Sequence, residues 1–173
     1  MIIYLAGPMT GKTPETAKAW RDHVIMELEP DGFVLTSPMR VETTHLKAKK
    51  LIAADAFGER SKIAEMRPSA IYERDMFDVR QADIILANMN DADVASLGSS
   101  HEIGYADALG RATIILVARP GNIYRDHPIV AQAAGVIFDE LDEAIHYIRM
   151  NYAPYVREQR YVREVAIAAE ENE

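Results

Sequence analysis

The sequence predicts an α/β protein: a flavodoxin-like three-layer sandwich whose five-stranded parallel sheet runs in the order 2-1-3-4-5. Three observations carry this reading. Five short runs are almost wholly apolar and several are rich in β-branched residues, the pattern of strands buried on both faces. Segments with helical spacing alternate with these runs, which argues for crossover connections and a sheet covered on both sides. Glycine and proline punctuate the boundaries at Gly7-Pro8, Pro30-Asp31-Gly32 and Ser37-Pro38, where chain turns require them.

Taken in order, Ile2-Ile3-Tyr4-Leu5-Ala6 is the first strand. Thr13 is the expected N-cap of a helix with Pro14 in its first turn. Ala17, Trp20, Val24 and Leu28 recur along that helix at helical spacing. Phe33-Val34-Leu35-Thr36 is the second strand. Residues 39–68 are charged and interrupted by Phe57-Gly58 and Arg67-Pro68. They read as a long excursion with a partial helix, either a lid or a disordered insertion. A helix opens at Ser69, and Ile71, Arg74, Asp75, Asp78 and Ala82 share a broad face of it. Asp83 to Asn88 is the third strand, Thr113 to Val117 the fourth and Gly135 to Phe138 the fifth. A short helix begins at His127-Pro128, and an amphipathic helix runs from Leu141 to Met150. The chain thus divides into a domain over residues 1–153 and a polar tail over 154–173, which reads either as a helix packed on a neighbour or as a frayed end.

The 173 residues suffice for one domain with a sizeable core. A hydrophobic share of 49% and a charged share of 27% are ordinary for a globular protein. The formal charge of -8 gives no basic footprint for a nucleic-acid polymer. No apolar run has the length to span a bilayer. The apolar residues 1–6 are too short for a signal peptide and no basic region precedes them, so the expected location is cytoplasmic. The chain has no cysteine, hence no disulfides and no thiolate chemistry. Its five histidines lack metal-ligand spacing, and neither a metal nor a cofactor is expected.

Two stretches carry chemistry. Gly7-Pro8-Met9-Thr10-Gly11-Lys12-Thr13 looks like a phosphate-binding P-loop, but only three residues separate its glycines where that motif has four. Spacing sets the curvature of the anion nest, and Pro14 follows at once. Nucleotide triphosphate hydrolysis is one rival reading from this stretch. The other stretch runs from Leu97 to Gly110, a loop passing into a helix, with Gly98 expected at the turn and Gly110 at the end. Glu102 is expected in the first helical turn, near the positive end of the helix dipole, and so ionised at neutral pH. That suits a nucleophile better than a general acid. Ser99-x-x-Glu102 also fits a capping box, a purely structural role. In the predicted sheet, ligands sit beyond the carboxyl ends of the strands, beside the switch point between strands 1 and 3. This placement brings Gly7–Thr10 and Ser96–Glu102 together and favours a catalytic Glu102.

A set of motifs in order extends this reading: Tyr4-Leu5-Ala6-Gly7-Pro8, Tyr72-Glu73-Arg74-Asp75-Met76, Ala82-Asp83-Ile84-Ile85, and Glu102-Ile103-Gly104-Tyr105-Ala106. Over roughly residues 2–150 the chain resembles the nucleoside 2-deoxyribosyltransferase family, which includes relatives that hydrolyse nucleoside 5'-monophosphates. The resemblance implies a flavodoxin-like fold and cleavage of the N-glycosidic bond of 2'-deoxyribonucleosides through a glycosyl-glutamate ester. Glu102 is then the nucleophile, with net retention at the anomeric carbon. Asp75 matches the family's helix aspartate and is the candidate to contact the base and assist proton transfer. Without the family it reads equally as a solvated helix carboxylate.

Transferases of this family carry an aspartate six residues before the nucleophile; this chain has Ser96. The nucleotide-hydrolase branch has a serine there that helps hold the 5'-phosphate, and amides at Gly98 and hydroxyls such as Ser99 suit that anion. Asp93, three residues earlier, is the alternative stand-in for the aspartate. Tyr4, Gly7 and Met9 match the pocket-lining loop after strand 1, although Tyr4 also fits a core position. Asn122, Tyr124 and His127 match the loop that reaches into a neighbouring subunit's pocket, although His127 also fits an exposed loop. The resemblance implies nucleosides or nucleotides and free nucleobases as partners, in a homodimer or larger homo-oligomer with shared sites. A non-catalytic nucleotide sensor on the same fold is a further alternative.

Overall fold

The structure is a computed structural model that describes residues 1–40, 64–92 and 94–170. Five strands form one sheet in the order β2-β1-β3-β4-β5: β1 (Ile2–Ala6), β2 (Val34–Thr36), β3 (Ile84–Asn88), β4 (Thr113–Val117) and β5 (Val136–Phe138). Every pairing is parallel. The α/β class and the strand order expected from the sequence are those observed. Helices α1 (Pro14–Leu28), α2 (Pro68–Gln81), α3 (Leu97–Leu109), α4 (Ile123–Asp126), α5 (Pro128–Ala133) and α6 (Leu141–Glu170) complete the described fold.

Side-chain alternation along the strands builds two cores. Ile3, Leu5, Ile84, Leu86, Ile115 and Val117 face α1 and α6, where Val24, Leu28, Ile145 and Ile148 meet them. Tyr4, Ala6, Ile85, Ala87, Ile114 and Leu116 face α2 and α3, against Met76, Val79, Ile103 and Ala106. Each fully buried aliphatic side chain contributes about 1.5–3 kcal/mol. The strands therefore hold the sheet from both sides, and their carboxyl ends form a fixed platform for the loops above.

Local chemistry sets the boundaries. Thr13 Oγ1 accepts from the Thr16 amide at 3.1 Å and caps α1, with Pro14 at its head as expected. α2 starts at Pro68, one residue before Ser69, because proline fits the first helical position. Gly110, at φ 62°, closes α3 with its amide on Ala106 and Asp107.

Two differences from expectation have clear causes. The region around His127 forms two short helices, because Asn122 caps the first and Pro128 opens the second. The last helix does not stop at Met150 but continues to Glu170 across Pro154. Pro154 and Met150, whose carbonyl loses its helical amide to the proline, are both exposed, while Ala153 and Val156 are buried. Arg149 and Arg157 on this helix both bond Asp31 in the turn after α1.

The excursion predicted over 39–68 is described only at its ends, and its inner part, 41–63, lies outside the described residues. Met39 is buried against Ala17, Arg40 pairs with Asp78 of α2, and Met66 is buried. No described helix is long and apolar enough to cross a membrane.

Candidate active site

Tyr4 sits on β1 with its side chain directed toward α2 and α3, fully buried. Its hydroxyl donates to Glu102 Oε1 at 2.7 Å. Glu102 lies on α3 and is only 8% exposed. The capping-box reading fails here. Ser96, not Ser99, is the N-cap, and its Oγ accepts from the Ser99 amide at 3.3 Å. Helix α3 therefore begins at Leu97, and Glu102 stands in its second turn. Gly98 lies inside the first turn, without the positive φ of a turn glycine.

Position and burial also overturn the expectation that Glu102 is ionised at neutral pH. Burial pushes its carboxyl up from 4.5 to about 8, and the Asp75 charge adds to the rise. The Tyr4 hydrogen bond and the Arg21 charge oppose it without prevailing. A second-turn residue is past the free amides of the helix start, so the dipole gives little relief. Tyr4 is itself raised well above the ordinary phenol range, first by burial and then by the Glu102 charge.

Asp75 on α2 is 6% exposed, which excludes the solvated-carboxylate reading. Arg74 Nε donates to its Oδ1 at 3.3 Å. Asp75 acts electrostatically on both Tyr4 and Glu102. Two buried carboxyls and a buried phenol thus converge beneath the carboxyl ends of β1 and β3. Burial first, and then the Asp75 charge, keep the proton on Glu102.

The remaining expected residues spread more widely. Ser96 holds the start of α3, with Ser99 Oγ 3.1 Å from its own Oγ. Tyr124 is 3% exposed and fixes Ser96 within this chain: its hydroxyl accepts from the Ser96 amide at 2.6 Å and donates to the Ser96 carbonyl at 2.9 Å. Asn122 is taken up in the same support, accepting from the Tyr124 amide and donating to the Met89 carbonyl. His127 is exposed. Met9 packs with Ala17 and Met39, apart from the Tyr4 cluster. Asp93 lies outside the described residues.

Gly7 has a definite steric role. A β-carbon there would stand 2.8 Å from Trp20 Cζ2 and 2.9 Å from the Asn88 carbonyl. The loop after it closes in a turn, the Lys12 amide donating to the Met9 carbonyl at 3.0 Å. A shallow cleft beside it is lined by Pro8, Lys12, Thr16, Trp20, Asn88 and Asp91, whereas Glu102 and Asp75 do not line it. Among the described residues, no cluster of three or more His, Asp or Glu side chains could hold a metal ion.

Sequence reasoning missed Arg21. It is 1% exposed, on α1, with Nη2 on the Gly7 carbonyl at 2.9 Å, Nε on the Leu5 carbonyl at 3.3 Å and Nη1 on the Ala17 carbonyl. The signal was present, because residues 17, 21, 24 and 28 form one continuous helical stripe whose other members are apolar.

A family profile described as nucleoside 2-deoxyribosyltransferase matches residues 3–146. Among solved structures, the fold matches that of the 2-deoxyribosyltransferase of the psychrotolerant bacterium Bacillus psychrosaccharolyticus. The TM-score is 0.57 at 18% identity, over 84% of this chain and 90% of that one. That enzyme is described as a biocatalyst for the synthesis of antiviral and antitumoral nucleosides. No curated protein matches the chain. With the profile spanning most of the sheet and its helices, the chain belongs to the nucleoside 2-deoxyribosyltransferase family.

Proposed function

We propose that this protein cleaves the N-glycosidic bond of 2'-deoxyribonucleosides and transfers the deoxyribose to another nucleobase through a covalent ester on Glu102. The observation that carries the reading is the buried carboxyl of Glu102, held by the Tyr4 hydroxyl at 2.7 Å rather than by its own backbone. The family adds the reaction class.

Chemistry at the anomeric carbon needs one carboxyl charged and one proton available. Glu102 and Asp75 share one proton: at rest it lies on Glu102, and in the productive form it has passed to Asp75, leaving Glu102 ionised to attack C1' while the bond from C1' to the base nitrogen breaks. Asp75 assists the departing base by delivering the proton its nitrogen requires. The incoming base then attacks C1' from the opposite face, Glu102 leaves as carboxylate, and the proton lost by the incoming nitrogen returns to Asp75. Two inversions give net retention. Tyr4 stabilises the carboxylate each time it reappears, through a charge-assisted hydrogen bond.

A second reading, hydrolysis of 2'-deoxynucleoside 5'-monophosphates, draws support from Ser96. A hydroxyl stands there in place of the transferase aspartate, with Ser99 and Ser100 beside it at the start of α3. Shared sites in a homo-oligomer are supported by the exposed apolar side chains of Val94 and Leu97 before and at the start of α3, and of Ile129 on α5.

Incubation of deoxyadenosine with cytosine decides between the readings. Transfer predicts deoxycytidine and adenine. Base release from monophosphates in water, with no exchange between free nucleosides, contradicts transfer and supports the hydrolase.

A further inference from the structure

We propose that Arg21 is a positioning residue of this site: by holding the carbonyls of Leu5 and Gly7 it fixes the end of β1, so that the Tyr4 hydroxyl meets Glu102. The proposal rests on Glu102 being the working carboxyl, and part of its test needs no substrate.

At the edge of the sheet, strand β2 ends at Thr36, which pairs with Tyr4. Leu5 and everything after it therefore extend past the last residue of β2. The carbonyls of residues 3, 5 and 7 alternate onto one edge of an extended strand. Ile3 finds a partner there in Thr36 Oγ1 at 3.5 Å. Leu5 and Gly7 find theirs in the guanidinium of Arg21, at 3.3 and 2.9 Å. A single planar fork from α1 thus continues the ladder where β2 stops, with the geometry that arginine supplies and lysine does not.

Trp20 stacks on the fork, its ring centroid 4.4 Å from the guanidinium carbon. Gly7 leaves the room this requires, since a β-carbon there would also lie 3.4 Å from Arg21 Nη2. The strand segment so fixed carries Tyr4 one residue before the first clamped carbonyl. A shift of the strand end of a few tenths of an ångström would misplace the 2.7 Å bond to Glu102.

The charge acts in the same direction as the geometry. Glu102 is faced by Tyr4 from β1, by Asp75 from α2 with Arg74 beside it, and by Arg21 from α1. Of these, Arg21 and the Tyr4 hydroxyl favour the ionised carboxyl, and Asp75 opposes it. Removing Arg21 takes away a cation and loosens the hydroxyl at once.

The test compares wild type, Arg21→Lys and Arg21→Met in the full chain, after circular dichroism shows that each is folded. Titration of the Glu102 carboxyl is followed by 13C NMR with labelled glutamate, assigned by Glu102→Gln. The proposal expects the midpoint to rise by a unit or more in Arg21→Met. In Arg21→Lys, which keeps the charge without the fork, it expects a smaller rise. With deoxyadenosine and cytosine, it expects kcat to fall at least tenfold in Arg21→Lys with KM within twofold, and the alkaline limb of kcat/KM to move with the NMR midpoint. A folded Arg21→Lys with wild-type midpoint and kcat overturns the proposal. Absence of base exchange in the wild type contradicts only the transferase reading, because the NMR midpoints still decide the role of Arg21.

Discussion

The hydroxyl of Tyr4 and the carboxyl of Glu102, 98 positions apart in the chain, meet at 2.7 Å in the interior. Neither is a spectator of packing. Burying a carboxyl is costly, and Tyr4 offsets part of that cost from the strand that ends at the ligand side of the sheet. Tyr4→Phe removes that bond and leaves the ring. A hydrogen bond to a charged group is worth about 1.5–3 kcal/mol, so kcat/KM is expected to fall roughly 10- to 100-fold. The alkaline limb of the pH profile moves upward at the same time, because the lost bond favoured the ionised Glu102. Steady-state kinetics across pH check both effects.

The raised Glu102 carboxyl sets the pH dependence of the free enzyme. The pair of Glu102 and Asp75 needs the one proton it shares, so kcat/KM is expected to fall as pH rises through about 8, where that proton is lost. Stability moves the same way. The folded state holds this proton more tightly than the unfolded chain, whose carboxyl titrates near 4.5. The contribution is therefore complete below about 4.5 and is lost as pH rises through about 8. Asp31 gives the opposite limb. Hydrogen bonds from Arg149 and then Arg157 lower its pKa, so its contribution is lost as the solution is made acidic. Glu102→Gln is expected to abolish activity and flatten only the alkaline limb of a urea-denaturation series.

Asp75→Asn separates the two carboxyls. Removing the Asp75 charge lowers the Glu102 midpoint, and with no second carboxyl to share the proton, kcat/KM of this variant is expected to rise with pH through a midpoint below about 8. The rate itself falls, because the departing base loses its proton source. General acid assistance is worth about 10²–10⁴-fold. A deoxyriboside with an activated leaving group that needs no proton should recover most of that loss. Comparing the two substrates is the measurement, and an equal loss on both would remove Asp75 from the proton-transfer role.

Gly7→Ala tests the packing beneath the loop. The added methyl meets the Asn88 carbonyl at 2.9 Å and Trp20 Cζ2 at 2.8 Å, so backbone must yield. Overpacking of this kind costs about 1–3 kcal/mol. A thermal melt should show a fall of several degrees, with kcat reduced because Arg21 is displaced.

The fold was legible because each strand is a near-continuous apolar run and each turn carries its own glycine, proline or cap. β1, β3 and β4 are recognisable from composition alone. The parallel sheet followed from the alternation of strand and helix, and its order was that of the flavodoxin-like fold chosen for it. Glu102 was legible from the motif around it, but its surroundings were not. Its ionisation depends on Tyr4, Asp75 and Arg21, which reach it from three different elements. Local reasoning placed Glu102 in the first turn through Ser99, whereas Ser96 wins the N-cap because Tyr124 fixes its amide and carbonyl. Arg21 was passed over because a charged residue in a helix reads as solvent-facing, and only the backbone beyond β2 creates carbonyls that need it. The length of α6 escaped for a related reason: Pro154 breaks a helix pattern in sequence, yet an exposed proline on a docked helix is tolerated.

The most direct measurement is covalent trapping with a 2'-fluoro deoxynucleoside analogue, followed by peptide mass spectrometry. A fluorosugar ester is expected on the peptide containing Glu102, without phosphate for a nucleoside substrate, and none in Glu102→Gln. An ester on any other carboxyl, or turnover of the natural substrate by Glu102→Gln at the wild-type rate, would contradict it.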